Sequence, residues 1–213
     1  MTADVGANAP DFELESDAGA RMGLRDFEGE WLVLYFYPRD NTPGCTREAQ
    51  EFTKAAPRLR KLGARVAGVS RDSVKSHCSF RDKISIGFPL LSDPGLIAHK
   101  SYSAWGEKLM YGKRIEGALR TTFLIAPNGR IAQVWRNVRV DGHADAVVAA
   151  LTAASTTGGA APAKGAAAAA PRAVKVKGPA TPAAKATKGK VAKTSAAKAK
   201  TSKAKRRTRA RRT

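Results

Sequence analysis

The stretch WLVLYFYPRDNTPGCTREAQEF, residues 31 to 52, decides the fold. WLVLYFYP (31 to 38) is apolar, aromatic and β-branched, and a proline ends it, as at the end of a buried central strand. DNTPG (40 to 44) is a turn. Beyond it the period changes: Cys45, Ala49, Phe52, Ala56 and Leu59 recur at helical spacing as far as Leu62, and Gly63 closes the helix. A buried strand that runs through a short turn into a helix is one unit of an α/β domain.

Reading outward, ARVAGVS (64 to 70) is a second buried strand. Asp72 and Ser73 are N-cap residues that open a helix over DSVKSHCSFRDK (72 to 83). FPLLSD (88 to 93) is a third strand, and a short helix follows from Pro94 to Tyr102. TTFLIA (121 to 126), the turn PNGR (127 to 130) and IAQVWR (131 to 136) make a hairpin with an Asn-Gly signal. HADAVVAALTAA (143 to 154) is a closing amphipathic helix. Strands that alternate with helices and end in a hairpin predict an α/β domain with a mixed central sheet flanked by helices.

The formal net charge of +20 over 213 residues is unevenly placed. Residues 153 to 213 hold 17 Lys and Arg and no Asp or Glu, which leaves 21 basic against all 18 acidic residues before them. The chain therefore reads as a nearly neutral globular domain, 1 to 152, followed by a polycationic segment, 153 to 213. The second part is built of Ala, Lys, Pro, Thr and Gly with no aromatic residue. Such a composition cannot bury enough apolar surface to offset its chain entropy, and disorder is expected. Two cysteines are too few for a disulfide framework and fit a reducing compartment. No signal peptide and no membrane-spanning run is visible, so a soluble, cytoplasmic protein is expected.

Cys45 stands just past Pro43-Gly44, in the first turn of its helix, where partial positive charge and unpaired N–H groups favour a thiolate. Thr42 can bring a hydroxyl to the same pocket, and Pro38 can pack over the sulfur and exclude water. Arg120, immediately before TTFLIA, is the best placed cation to complete the site. Trp105 and Tyr111 read as packing residues, His77 as a capping or packing residue of its helix, and His99 and His143 show no metal-ligand spacing. No metal and no cofactor is expected.

The spacing of Pro38, Thr42 and Cys45 resembles the active-site motif of peroxiredoxins. In detail the chain resembles the bacterioferritin comigratory protein, or peroxiredoxin Q, subfamily. The resemblance rests on NAPDFEL (8 to 14), FYPRDNTPGCTREAQEF (36 to 52), GVSRDSVKSH (68 to 77), FPLLSD (88 to 93), WGEKLMYGK (105 to 113) and RTTFLIAPNGRI (120 to 131). It implies a thioredoxin-like fold and a thiol-dependent peroxidase acting on hydrogen peroxide and organic hydroperoxides. Cys45 would be the peroxidatic cysteine, oxidised to a sulfenic acid. Thr42 would bond the attacked peroxide, Arg120 would stabilise the thiolate and the developing oxyanion, and Glu48 would orient Arg120. Thioredoxin or another thiol would be the reductant, and the subfamily suggests a monomer.

Many members of the subfamily carry a resolving cysteine five residues after the peroxidatic one. Gln50 occupies that position here. Others place it in the helix that here holds Cys78, about one turn away. Two readings follow: Cys78 resolves Cys45 through a disulfide, or an external thiol does. The polar flanks Ser76, His77 and Ser79 favour the first, because they argue against a core thiol. A disulfide needs Cα atoms within about 7 Å, so the first turn of the Cys45 helix would have to unwind.

KAKTSKAKRRTRARRT (198 to 213) ends the chain with its densest positive charge: Lys198, Lys200, Lys203, Lys205, Arg206, Arg207, Arg209, Arg211 and Arg212. This segment resembles linker-histone tails. It would neutralise phosphates without reading bases, so non-specific DNA binding and a nucleoid-associated location are expected, and a membrane is not. The rival reading from another class is a histone-like DNA-compacting protein with an accessory thioredoxin-like domain.

Overall fold

A computed structural model of the protein describes residues 3–110 and 113–156. The expectations for Tyr111 and for the cationic segment after Thr156, including its nine named Lys and Arg residues, lie outside these residues. In chain order the elements are β1 (Glu13–Ser16), β2 (Arg21–Gly23), a 3-10 turn (Leu24–Phe27), β3 (Trp31–Phe36), α1 (Pro43–Lys61), β4 (Ala64–Ser70), α2 (Val74–Ile84), β5 (Leu90–Ser92), α3 (Ile97–Ser101), β6 (Trp105–Met110), β7 (Lys113–Ala118), β8 (Thr121–Ile125), β9 (Ile131–Arg136) and α4 (His143–Thr156).

Seven strands form one mixed sheet in the order β2-β1-β5-β4-β3-β8-β9, and β6 pairs with β7 as a separate hairpin. Strand β3 is parallel to β4 and antiparallel to β8, so it lies inside the sheet. All six of its residues are buried. Side chains alternate across a strand, and both faces of β3 are covered. Trp31, Val33 and Tyr35 join Phe52 and Leu59 of α1, Phe80 of α2 and Val147 and Leu151 of α4. Leu32, Leu34 and Phe36 join Phe12, Phe27, Tyr102 and Phe123 on the other side. This double covering is why the run reads as continuously apolar rather than alternating. Gly68 of β4 lies opposite Tyr35, and a Cβ there would come 2.7 Å from the tyrosine oxygen. The ring needs that glycine in order to lie flat.

Several boundaries differ from the sequence-based expectation. The strand expected over 31–38 ends at Phe36, and that expected over 88–93 narrows to Leu90–Ser92. The helix expected over 94–102 is confined to Ile97–Ser101, because the Asp93 carboxylate accepts from the Ile97 and His99 amides and sets where the helix begins. Along α1 the buried line passes through Ala55, and Ala56 is half-buried. Strands β1, β2, β6 and β7 were not expected. Helix α4 continues to Thr156, four residues past the boundary drawn from composition. No helix among the described residues is long and apolar enough to cross a membrane.

Candidate active site

Helix α1 begins at Pro43, a residue suited to the first helical position because its missing N–H would have had no helical partner there. Cys45 is therefore in the first turn, as expected, and is 2 % exposed. The antiparallel register sets Thr121 of β8 opposite Phe36 of β3. Residue 120 thus enters the sheet beside the point where the chain leaves β3 for Cys45, although 75 residues separate the two side chains. Arg120 Nη2 lies 3.4 Å from Cys45 Sγ. Gly44 leaves room for the approach, since a Cβ there would sit 3.3 Å from the same nitrogen and the guanidinium would have to give by a few tenths of an ångström. The Arg120 carbonyl accepts from the Val138 amide at 3.0 Å, which fixes the backbone behind the side chain.

The other guanidinium nitrogen, Nη1, is paired with Glu48 Oε2. Glu48 lies one turn after Cys45 on the same helix face and is 1 % exposed. Burial pushes its carboxyl up to about 7, against the opposing pull of Arg120. For Arg120, burial favours the neutral form, but the charges of Glu48 and Cys45 outweigh it and hold the guanidinium above its ordinary value. Cys45, Glu48 and Arg120 are thus brought together as the sequence reading required.

Thr42 is the N-cap of α1, but its hydroxyl does not cap the helix. It donates to the Arg39 carbonyl at 3.1 Å. With its hydrogen so engaged, Thr42 Oγ1 has lone pairs to offer an approaching O–H group. Pro38 is half-buried in the connection between β3 and α1.

His143, at the start of α4, is buried and feels the charge of Arg120. Its Nε2 lies 2.8 Å from Thr122 Oγ1, and its ring meets Phe52 and Trp135 edge to face. Burial, then the charge of Arg120, pull this imidazole down to about 4, so it is neutral near pH 7.

Cys78 is in a different setting. It is a free thiol, as is Cys45, and is half-buried in α2, where Sγ donates to the Asp17 carbonyl at 3.0 Å. The Asp17 carboxylate in turn pairs with Arg81 and accepts from the Leu90 amide at 2.9 Å. Asp17 lies beyond β1, so the link spans 61 residues and left no sequence signal.

His77 is neither a cap nor mere packing. Ser73 caps α2 by accepting from the Ser76 amide at 3.4 Å. The His77 imidazole is fully buried, with Nδ1 2.9 Å from Asp40 Oδ2. Asp40 was read only as part of a turn, and sequence reasoning missed the pair. Trp105 packs edge to face on His99 and lies under Arg71, in keeping with a packing role. Among the described residues no group of three or more His, Cys, Asp and Glu side chains could hold a metal ion.

A sequence profile of the AhpC/TSA family matches residues 5–134. The chain is 49% identical over 143 residues to a peroxiredoxin Bcp of Xanthomonas campestris pv. campestris, covering 67% of this chain and 89% of that protein. It is 41% identical over 143 residues to peroxiredoxin Bcp of Bacillus subtilis, covering 67% of this chain and 91% of the other. Among solved structures, the bacterioferritin comigratory protein of Xanthomonas campestris superposes with a TM-score of 0.65 at 47% identity, over 68% of this chain and 92% of that one. That protein was studied for alkyl peroxide reduction, in trapped intermediate and ligand complexes.

Proposed function

This chain belongs to the AhpC/TSA family as a thioredoxin-like peroxiredoxin of the Bcp/PrxQ kind, a thiol peroxidase, and from that premise we propose that Cys45 is its peroxidatic cysteine. The observation that carries the assignment is the Arg120 guanidinium, 3.4 Å from Cys45 Sγ with its other nitrogen paired to buried Glu48. In the reaction the Cys45 thiolate attacks one oxygen of the peroxide. A sulfur–oxygen bond forms and the O–O bond breaks. Sulfur loses two electrons, and the leaving oxygen departs with the pair, takes up a proton and becomes water or an alcohol. Arg120 faces both the thiolate and the charge growing on oxygen, and a fixed donor of this kind stabilises the transition state more than the ground state. Glu48 holds the guanidinium in plane. Thr42 Oγ1, its own hydrogen held by Arg39, accepts from the peroxide O–H. Hydrogen peroxide and organic hydroperoxides both meet these requirements.

The Cys45 sulfenic acid is then attacked by the Cys78 thiolate, with loss of water and formation of a disulfide, which thioredoxin or a similar dithiol reduces. Two features support Cys78 in this role: it is half-buried rather than sealed in the core, and a single sulfur–carbonyl bond holds it. The enzyme works as a monomer in this scheme.

The cationic segment supplies location. Seventeen Lys and Arg without one acidic residue suit a polyphosphate partner, and we place the peroxidase on DNA in the cytoplasm through non-specific contacts. If about ten phosphates are engaged, log K falls against log salt with a slope near −9. Truncation after Thr156, where α4 ends, should remove DNA binding and leave peroxide consumption intact. Tight binding by the truncated domain at moderate salt would overturn the tether.

The cysteine assignments are tested by intact mass and non-reducing peptide mapping after one equivalent of hydrogen peroxide. Loss of two hydrogens with a linked Cys45–Cys78 peptide supports both assignments. A single added oxygen on Cys45 with Cys78 unmodified upholds Cys45 and rules out Cys78. No change at either thiol overturns the scheme.

A further inference from the structure

The chemistry just described leaves one buried polar cluster unused. Asp40 is 5 % exposed and His77 is 0 % exposed. Asp40 Oδ2 accepts from Ser76 Oγ at 2.7 Å and from His77 Nδ1 at 2.9 Å, and Oδ1 accepts from the Tyr37 hydroxyl at 2.7 Å. A carboxylate can only accept, so Nδ1 carries the imidazole hydrogen. The Asp40 amide donates to Asp72 Oδ2 at 2.9 Å, and the same oxygen accepts from Ser70 Oγ at 2.8 Å. Next to Asp40, Asn41 has a left-handed backbone with φ 57°, and its side-chain oxygen accepts from Lys83 at 3.4 Å. Burial disfavours the ionised Asp40, but the bonds from His77, Ser76 and Tyr37 outweigh it and hold the carboxyl below its usual range.

The bonds run in an informative direction. Residues 40 and 41 immediately precede the N-cap of α1, yet Ser76, His77 and Lys83, all of α2, hold them. Helix α1 lacks a side-chain cap at its own start. The segment that leads into its first turn, which carries Cys45, is therefore held in part from a neighbouring helix, and the anchor residue His77 adjoins Cys78. Stability alone is a poor reason to keep such a pair: burying polar groups is costly unless every one is hydrogen-bonded, and here His77 Nε2 has no hydrogen-bond partner. Its better use is to choose between two arrangements of the chain.

We propose that Asp40 and His77 form a latch: positioning residues that hold the Cys45 loop in its peroxide-reactive arrangement and make its release depend on movement of α2. The proposal rests on Cys45 as the attacking thiol. While the latch is closed, Cys45 stays under Arg120 and attack is fast. For Cys45 to reach a resolving thiol, the first turn of α1 must unwind, and that turn cannot leave until Asp40 gives up Ser76 and His77. The strained Asn41 backbone favours release once those bonds are gone.

The test uses the full chain carrying Cys78→Ser, in which sulfenic acid formation at Cys45 is followed by dimedone trapping and mass spectrometry. In that background Asp40→Asn and His77→Asn should each slow the second-order attack roughly 10- to 100-fold, the range expected when a reactive group is misplaced by about 1 Å. The double variant should be no slower than the worse single one, because both changes open one latch. With Cys78 restored, conversion of the sulfenic acid to the disulfide should be as fast as in the parent or faster. A role in stability alone would slow both steps in proportion to the folded fraction.

Hydrogen exchange gives an independent readout. In His77→Asn, amides of residues 40–46 and 74–79 should lose protection together, whereas exposure of α2 alone would overturn the coupling. Attack rates within about twofold of the parent, or additive effects in the double variant, would also overturn it. If a buried variant fails to fold, Ser76→Ala removes one bond to Asp40 from a half-buried position and is judged by the same rates. Should the parent form no Cys45–Cys78 disulfide, the resolving role of Cys78 falls, and the attack rates still decide the latch.

Discussion

The two cysteines sit in opposite surroundings. Cys45 is sealed at 2 % exposure, in a first helical turn, with the Arg120 guanidinium 3.4 Å away and a buried carboxylate behind it. Cys78 is half-buried, in the body of α2, and gives its hydrogen to the Asp17 carbonyl at 3.0 Å. One sulfur faces a cation that can support negative charge on it and on a reacting oxygen. The other is hydrogen-bonded as a neutral thiol. The difference shows that residue type alone does not make a nucleophile: the elements that converge on the sulfur do, and for Cys45 these come from β3, α1 and β8.

The strongest way to break the comparison is to exchange the sulfur that is supposed to react. Cys45→Ser should lower peroxide consumption roughly 10³-fold or more, since a serine hydroxyl stays protonated at neutral pH and cannot take up oxygen as sulfur does. A competitive peroxide-consumption assay decides it, and substantial remaining activity would move the chemistry to Cys78.

Next in size is removal of the cation. Arg120→Met should reduce kcat/KM for hydrogen peroxide about 10²-fold, the usual loss for one preorganised donor aimed at developing charge. It also leaves Glu48 buried beside no cation, which costs roughly 3 kcal/mol or more while the carboxylate is ionised. Since burial already holds Glu48 near 7, the variant should relieve the strain by keeping the carboxyl protonated to higher pH. Urea unfolding at pH 6 and pH 8 separates the two: the deficit against the parent should be larger at pH 8. An equal deficit at both would mean that loss of Arg120 does not change how Glu48 titrates between these pH values.

For Cys78→Ser the first oxidation should proceed, but the sulfenic acid at Cys45 should persist and become sulfinic acid under excess peroxide. Turnover with thioredoxin should fall about tenfold or more. Unchanged thioredoxin-linked turnover would make Cys78 a bystander and leave resolution to an outside thiol.

These tests also mark how far the sequence could be read. Strand β3, its turn and α1 were legible because a strand buried on both faces needs an unbroken apolar run, because Pro38 ends that run, and because the turn DNTPG separates it from the helical period that follows. Strand β4 and strand β9 were found at their observed limits, 64–70 and 131–136. Arg120 was legible from its place immediately before the apolar strand TTFLIA and from the resemblance, whereas the pairing of that strand with β3 came only from the fold. Strands β1 and β2 were not, since ELES and RMG are only four and three residues long and largely polar, and β2 is the sheet edge, too little to impose a pattern. Hairpin β6–β7 hides likewise behind charged residues, in WGEKLM and KRIEGA. The bond from Cys78 to Asp17 and the Asp40–His77 pair escaped because each joins residues far apart in the chain, where only the folded register brings them together.

The smallest expected effect concerns the acid side of the Cys45 neighbourhood. His143 is held neutral down to about 4, first by burial and then by the charge of Arg120, whereas an unfolded histidine titrates near 6.5. As pH falls below 6.5 the unfolded chain takes up a proton that the folded chain refuses, so stability contributed by a neutral His143 is present at pH 7.5 and is lost progressively toward pH 4. The full loss has a ceiling of roughly 3 kcal/mol, and by pH 5.5 about 1 kcal/mol should be gone. Glu48 acts in the opposite sense over the same interval. Its folded form keeps a proton up to about 7, so acidification favours the fold at that residue, and the two trends partly cancel in the parent. The informative quantity is therefore the difference between His143→Gln, which can keep a bond to Thr122, and the parent. Urea midpoints measured from pH 7.5 to 5.5 should show the variant gaining on the parent by about 1 kcal/mol as the solution is acidified. Parallel curves would mean that His143 takes up its proton in the folded state as readily as in the unfolded one, and that the Arg120 charge is screened from it.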